Sequence, residues 1–311
     1  MSRYKLYHGD ARSILKEISP DSVDCVVTSP PYFQLRQYNA VHDDMEIGRE
    51  SNVQDYITNL INVFNHVKLI LKDSGTLWVV IGDTYVTSDS QYTCKCLYGV
   101  PWRFALAMID AGWILRQDII WKKPNPTPQS VMDRCTTAHE YLFFFTKKPH
   151  YFWNYQASLE PAITTTSSRK KIPKKISKAW GQERIARVSM SGSQVHDNQP
   201  VRIKRSVWSV PPVPFEASRY ETSGNPLKEH FATYPPKLIE PCILMGSPVG
   251  GVVLDPFNGA GTTGVVALKN DRNYIGIDLN SEYLRLTAAR IETECDIRPL
   301  TASHAAFNLL F

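Results

Sequence analysis

The chain has 311 residues, 43% of them hydrophobic, which is enough for a full α/β core and a second lobe or large insertion. No apolar run reaches the roughly 18 residues of a membrane span, and the first ten residues lack the apolar core of a signal peptide, so we expect a soluble, cytoplasmic protein. The net charge is +5, but positions 168–205 hold eleven Lys and Arg against two acidic residues, so the rest sums to −4 and a polyanionic partner is indicated.

The six cysteines are scattered along the chain, and only Cys94 and Cys96 lie close together in sequence. No pair has the C-x2-C spacing of a zinc site. We therefore expect reduced thiols and no structural metal.

The first predicted strand, Tyr4 to Tyr7, leads into Asp10, and the spacing of apolar residues predicts a helix from Ala11 to Ile18. Asp10 is thus placed at a strand-to-helix turn. In an open α/β sheet, ligands bind at such turns, at the carboxyl ends of the strands. A plain helix N-cap explains Asp10 equally well from this stretch alone.

The next strand, Val23 to Thr28, is a continuous apolar run that ends at Ser29-Pro30-Pro31-Tyr32. Pro31 has no N–H and biases Pro30 towards an extended conformation, so the Pro30 carbonyl can point away from the backbone ladder as a free acceptor. Ser29 adds a second acceptor, and Tyr32 offers a ring on which a flipped-out base could stack. The simpler alternative is a strand end followed by a proline turn.

Helices and strands then alternate as in a wound, mainly parallel sheet. The predicted elements are a helix over 53–71 that stops at residues 72–75, a strand over 76–81, a helix from 101 to 111, and strands over 115–121 and 139–146. Irregular loops are predicted over 33–52 and 83–97. The segment 122–128, with three alternating prolines, is predicted to be a rigid, basic, extended loop.

From residue 147 to about 225 the composition changes to basic, Ser/Thr, Gly and Pro residues with few apolar stretches, which indicates an insertion rather than core. Its basic cluster is typical of a phosphate-contacting surface, although a solvated face is the simpler alternative. The candidate DNA-binding residues are Arg169, Lys170, Lys171, Lys174 and Lys175.

A glycine loop follows the strand Val252 to Leu254 and precedes a helix that ends at Lys269. Gly259, Gly261 and Gly264 have the G-x-G-x-x-G spacing, and Asp278 follows the next strand, nineteen residues after Gly259. An acidic group at that distance accepts hydrogen bonds from ribose hydroxyls, so an adenosine-type ligand is indicated. Alone, the spacing is also that of a tight turn, and no Gly-Lys-Ser/Thr follows to make a phosphate loop.

Only one helix and a short tail follow Asp278, too little for the further strands of a nucleotide-binding sheet. Those strands must come from the N-terminal half. We expect four turns along one sheet edge, in the order glycine loop, Asp278, Asp10 and the Ser29–Tyr32 stretch. The predicted sheet therefore begins in the middle of the chain.

In this order of motifs the chain resembles the beta-class DNA amino-methyltransferases. The resemblance rests on residues 8–10 (HGD), 28–32 (TSPPY), 139–145 (HEYLFFF), 230–238 (HFATYPPKL) and 255–263 (DPFNGAGTT). It covers nearly the whole chain except the basic insertion. One small departure is Ala260, where the family often has Ser.

The resemblance implies a Rossmann-like, circularly permuted S-adenosylmethionine-dependent methyltransferase of prokaryotic or phage origin. Its catalytic half would be residues 1–147, its target-recognition insertion 148–225 and its cofactor half 226–311. The loop from Phe257 to Thr263 would hold the methionine part, Asp278 the ribose and Asp10 the adenine amine. The implied catalytic residues are Ser29, Pro30, Pro31 and Tyr32, and the implied cofactor residues are Asp10, Phe231, Asp255, Phe257, Gly259, Gly261, Thr262, Thr263 and Asp278.

The main hypothesis is methylation of the N4 amine of cytosine in a specific duplex site, within a restriction-modification system whose nuclease acts separately. Two acceptors on the amine would localise its nitrogen lone pair towards the sulfonium methyl. C5 chemistry would need a cysteine after proline in this loop, and the nearest, Cys25, lies earlier. The alternatives are N6-adenine methylation, an RNA substrate, and a non-catalytic nucleotide-dependent nucleic-acid-binding protein.

Overall fold

The computed structural model describes residues 3–34, 46–87, 91–162, 194–196, 199–215 and 233–297. The chain forms two compact units, one of residues 1–154 with 206–311 and one of Tyr155–Arg205. The larger unit carries every feature of the site below. No helix in the described part of the chain has the length and apolar character needed to cross a bilayer.

The larger unit is built on an eight-stranded sheet. Its strands are β1 (Tyr4–His8), β2 (Val23–Thr28), β3 (Leu71–Ile81), β4 (Ile114–Lys122), β5 (His139–Thr146), β9 (Val207–Ser209), β10 (Val252–Asp255) and β11 (Asn273–Asp278), while strands six to eight of the chain belong to the smaller unit. Their order in the sheet is β1-β11-β10-β2-β3-β5-β4-β9. The first five strands in this order are mutually parallel, β5 runs antiparallel to both neighbours, and β4 is parallel to β9. The predicted α/β class with a mainly parallel sheet is therefore confirmed.

The helices of this unit cover the sheet, and their apolar residues recur at helical spacing. They are α1 (Ala11–Ile14), α2 (Val53–Ile70), α3 (Val100–Asp110), α4 (Pro236–Gly246), α5 (Thr262–Lys269) and α6 (Ser281–Cys295). On α2, for example, Tyr56, Leu60 and Phe64 are fully buried. Phe64 contacts Phe104 of α3 with ring centroids 5.3 Å apart, and Phe104 contacts Phe145 of β5 at 6.1 Å, so the core lies between these helices and the sheet.

Two element boundaries differ from the sequence expectation. The helix α1 ends at Ile14 rather than Ile18, and the chain continues in turns. The helix α2 ends at Ile70 and the strand β3 begins at once at Leu71, so residues 72–75, predicted as the stop after the helix, belong to the strand, which starts earlier than the predicted residue 76. The pairing of β2 with β3 shifts register between Val23 and Cys25, and this irregularity accommodates the polar start of β3.

The smaller unit contains a three-stranded antiparallel sheet formed by β6 (Leu159–Pro161), β7 (Gln194–His196) and β8 (Gln199–Ile203), in the order β6-β8-β7. Arg202 donates to Glu160 across β6 and β8, with Nε 2.9 Å from Oε1. The predicted DNA-binding cluster, residues 169–175, lies outside the described residues.

The carboxyl ends of four adjacent parallel strands meet at one edge of the large sheet. His8 pairs with Asp278, Asp255 with Gly276, and Leu254 with Val26. The turns after β1, β11, β10 and β2 therefore lie side by side, as predicted from the permuted order of motifs. Their spatial order differs from the prediction, because β10 pairs with β2: the Asp10 turn is outermost and the glycine loop is next to the Ser29–Tyr32 turn.

Candidate active site

A cavity of about 660 Å³ opens at this sheet edge, a volume typical of a small-molecule site. All four turns contribute to its wall, together with residues after β4 and at the start of β5. Among its lining residues are Asp10, Ser29, Pro30, Pro31, Tyr32, Lys123, Asn125, Thr127, Glu140, Phe257, Gly259, Thr262, Asp278 and Tyr283.

The glycine loop depends on the absence of a side chain at Gly261. Gly261 has φ +72°, and a Cβ atom there would lie 2.4 Å from Thr287 Cγ2 on α6. Arg290, also on α6 and buried, donates to the Ala260 carbonyl, with Nη1 2.6 Å from the oxygen. The helix α6 therefore packs directly against the loop and holds its backbone in place, a role of Arg290 that no pattern in the sequence signals.

We expect Gly261→Ala to destabilise the fold in two ways. The left-handed conformation costs about 1–2 kcal/mol for a residue with a side chain, and the overlap with Thr287 adds about 1–3 kcal/mol. Gly250→Ala is the matched control, since Gly250 has φ +76° but nothing within 4 Å of the added Cβ. Urea unfolding of both variants measures the difference, and equal losses would show that the packing against Thr287 does not matter.

Asp255 lies buried beneath the loop and joins four parts of the chain. Its Oδ1 accepts from Thr28 Oγ1 at 2.6 Å and from the Phe257 N–H at 3.0 Å. Its Oδ2 accepts from Thr263 Oγ1 at 2.8 Å and from Tyr234 Oη at 3.0 Å. Asp255 and Thr263 do not line the cavity, so this arrangement suits them to positioning the loop. The sequence contains Tyr234 in the 230–238 motif but does not indicate this bond.

Asp278 lines the cavity and orients the backbone around it. Its two carboxylate oxygens accept from the Gly259 N–H at 2.7 Å and the Asn280 N–H at 2.8 Å. Burial raises the pKa of Asp278 to about 7, an effect that these two hydrogen bonds oppose and the nearby Asp255 reinforces.

Asp10 combines the two alternatives that its position in the sequence left open. It caps α1 by accepting from the Arg12 N–H at 2.7 Å, and it also lines the cavity. The Arg12 guanidinium pairs with it, with Nη2 2.5 Å from Oδ2. Phe231, the remaining predicted cofactor residue, lies outside the described residues.

The turn after β2 lines the cavity and contains two proline carbonyls in different environments. Tyr56 Oη donates to the Pro31 carbonyl at 2.7 Å, whereas within the described residues no donor reaches the Pro30 carbonyl. The Tyr32 ring packs against Gly82, where a Cβ atom would lie 2.8 Å from Tyr32 Cε2. Ser29, Pro30, Pro31 and Tyr32 all line the cavity, so the structure brings the predicted catalytic residues together.

Two charged residues that the sequence did not single out as functional complete this wall. Tyr32 Oη donates to Glu140 Oε2 at 2.6 Å, and Lys123 Nζ forms an ion pair with Glu140 Oε1. The Lys123 ammonium also lies 4.5 Å from the centre of the Trp121 ring. The sequence features that could have indicated Glu140 and Lys123 are a carboxylate at the start of an apolar strand and a lysine at the start of the proline-rich segment.

Residues 23–289 match the family model described as DNA methylase. The chain belongs to the DNA methylase family. It is 37% identical over 309 residues to the Type II methyltransferase M.XycI of Xanthomonas campestris pv. cyanopsidis, covering 92% of this chain and 87% of that protein. It is also 37% identical over 309 residues to the Type II methyltransferase M.SmaI of Serratia marcescens, covering 92% and 90%.

Two solved structures share the fold of the methylase. The PvuII DNA methyltransferase (cytosine-N4-specific) has a TM-score of 0.65 and 20% identity, covering 93% of this chain and 86% of that one. TTHA0409 of Thermus thermophilus, a putative DNA modification methylase solved with S-adenosyl-L-methionine, has a TM-score of 0.58 and 22% identity, covering 94% and 96%.

The predicted extended segment after β4 forms one side of the methylase cavity. Lys123, Asn125 and Thr127 line it, and the prolines Pro124, Pro126 and Pro128 restrict φ at every second position. The backbone bends at Pro124 and Asn125, so the segment is not extended throughout as predicted. The segment thus presents an ammonium, an amide and a hydroxyl to the cavity.

Proposed function

We propose that this DNA methylase transfers a methyl group from S-adenosylmethionine to the exocyclic N4 amine of cytosine at a specific site in duplex DNA. The observation that supports this most directly is the pair of acceptors at the cavity, the Ser29 hydroxyl and the Pro30 carbonyl, next to the glycine loop and Asp278. A neutral hydroxyl at Ser29 favours cytosine, because the adenine enzymes that the sequence resembles usually carry Asp there.

The residues around the glycine loop fit S-adenosylmethionine. This cofactor supplies an electrophilic methyl group on a sulfonium sulfur. Asp278 would accept from the ribose hydroxyls, Asp10 from the adenine amine, and the backbone of Phe257, Gly259 and Thr262 would contact the methionine part. Asp255, Gly261 and Thr263 would hold that backbone in shape, and Phe231 would line the same pocket.

The Asp278 carboxyl should make cofactor binding depend on pH. Since its pKa in the free protein is about 7, the carboxyl is largely protonated at pH 6 and largely ionised at pH 8. Only the carboxylate accepts from both ribose hydroxyls while holding the two backbone N–H groups. Titration calorimetry should therefore show a dissociation constant that falls as pH rises through 7. Asp278→Asn is the control, and an unchanged pH dependence in that variant would assign the effect to another group.

The two acceptors determine how the target amine reacts. The amine nitrogen shares its lone pair with the ring, so it is a poor nucleophile until its two N–H groups are held by Ser29 Oγ and the Pro30 carbonyl. These bonds would direct the lone pair towards the methyl group. Stacking on Tyr32, about 1–3 kcal/mol per base, offsets part of the cost of extruding the base from the duplex.

Recognition of the duplex is assigned to the insertion, residues 148–225, between a catalytic half (1–147) and a cofactor half (226–311). Its basic cluster, Arg169, Lys170, Lys171, Lys174 and Lys175, would contact phosphates and make DNA affinity depend on salt. The Type II names of the relatives support a role in a restriction-modification system, with a cognate nuclease as a separate protein.

Incubation of the protein with mixed genomic DNA and methyl-labelled S-adenosylmethionine tests this function. We expect label in DNA and N4-methylcytosine after nucleoside mass analysis, with methylation-aware sequencing giving the site. N6-methyladenine instead would overturn the choice of base. This alternative is a definite one, because the matching family model covers both N6 and N4 methylases. Absence of label in any DNA would overturn the enzymatic assignment.

A further inference from the structure

Four side chains form a connected polar series along the cavity wall. Ser29 Oγ lies 3.5 Å from Tyr32 Oη, Tyr32 Oη lies 2.6 Å from Glu140 Oε2, and Lys123 pairs with the other oxygen of Glu140. All four residues line the cavity. The Lys123 and Glu140 side chains are only 22% and 17% exposed, so little water competes for these bonds.

The chemistry of the last two members determines the direction of every hydrogen bond in the series. Lys123 can only donate, and a carboxylate can only accept. Glu140 must therefore accept from both Lys123 and Tyr32. The Tyr32 hydroxyl proton is then committed to Glu140, and the Tyr32 oxygen can accept from the Ser29 hydroxyl. With its proton turned to Tyr32, Ser29 Oγ has its lone pairs free to face the cavity.

We propose that Glu140, held by Lys123, is a positioning residue that makes Ser29 a hydrogen-bond acceptor towards the target amine. This inference rests on the proposed function and names a determinant of the same site. Stacking of a base on Tyr32 would use only its ring and would not require a partner for its hydroxyl. The proposed role of Glu140 explains why the Lys123–Glu140 ion pair lies against that hydroxyl.

The variant Glu140→Gln should reverse the direction of the hydrogen bonds from residue 140 to Ser29 while keeping the four side chains connected. The new amide must turn its carbonyl to Lys123, since its NH2 group cannot face an ammonium. That NH2 group then donates to Tyr32 Oη, the Tyr32 proton turns to Ser29, and the Ser29 proton turns into the cavity against the amine. We expect the single-turnover rate to fall about 10- to 100-fold, the scale of a lost positioning group.

A second substitution should partly restore the rate. In Glu140→Gln with Lys123→Met, no donor holds the amide carbonyl, so it can turn to Tyr32 and accept as the carboxylate did. We expect a gain of about 10-fold over Glu140→Gln alone, whereas Lys123→Met in the parent brings no gain. Dissociation constants for S-adenosylmethionine and for duplex DNA are measured for all four proteins, because a loss of folding would move them too.

Two results would overturn the inference: a parental rate in Glu140→Gln, or a double variant no faster than Glu140→Gln. Should thermal unfolding show that Glu140→Gln is not folded, Tyr32→Phe interrupts the series and keeps the ring. Tyr32→Phe alone should then lower the single-turnover rate, because the Ser29 proton loses the acceptor that orients it, and a parental rate in that variant would equally refute the direction argument. Label transfer by the parent is read independently, so failure here leaves the proposed function intact.

Discussion

Ser29→Ala should lower the rate of methyl transfer by about 10²-fold or more, the scale of a lost acid-base or positioning group. Without the hydroxyl, the Pro30 carbonyl is what remains of the pair of acceptors proposed for the amine, and the neighbouring Pro31 carbonyl already accepts from Tyr56. The amine then keeps its lone pair in the ring. Single-turnover transfer of labelled methyl to DNA, followed by nucleoside mass analysis, measures the effect.

Binding should change little in this variant, since neither the cofactor nor the DNA backbone depends chiefly on one hydroxyl. Ser29→Thr is the matched control, because it retains a hydroxyl at the same position and should keep more activity than Ser29→Ala. Parental turnover in Ser29→Ala would remove Ser29 from the catalytic step.

Asp278→Ala should weaken S-adenosylmethionine binding by on the order of 1.5–3 kcal/mol, the value of hydrogen bonds to a charged group. This corresponds to roughly 10- to 150-fold in the dissociation constant. The carboxylate faces the cavity and is held by the Gly259 and Asn280 backbone, so its loss removes the ribose acceptor and loosens the loop. Calorimetric titration with S-adenosylmethionine measures the loss.

The matched control for this prediction is Asp271→Ala, which also removes a carboxylate, shortly before the strand that ends at Asp278. The Asp271 side chain is 76% exposed and pairs with Arg3. That variant should bind the cofactor as the parent does. DNA affinity should hardly change in either protein. Unaltered cofactor affinity in Asp278→Ala would exclude Asp278 from the cofactor site.

The amino-acid sequence by itself indicated most strands and helices of the larger unit, although not β9 or α4, and showed where chemistry-bearing turns follow strands. The apolar run Val23–Thr28 is a strand buried along its whole length, and α2 follows the helical spacing of its apolar residues, because local hydrophobic periodicity reflects burial directly. The G-x-G-x-x-G spacing likewise located a loop in which Gly261 needs a positive φ. These signals are local, so neighbouring residues suffice to show them.

Only the tertiary structure decided which of these turns are neighbours and how their side chains pair. The pairing of β10 with β2 placed the glycine loop beside the Ser29–Tyr32 turn, an order that the sequence prediction had wrong. Tyr32 and Glu140 are 108 residues apart in sequence, and Arg290 is 30 residues from the carbonyl that it holds. Such contacts depend on strand order and helix packing, which involve the whole sheet, so no local pattern of residues can specify them.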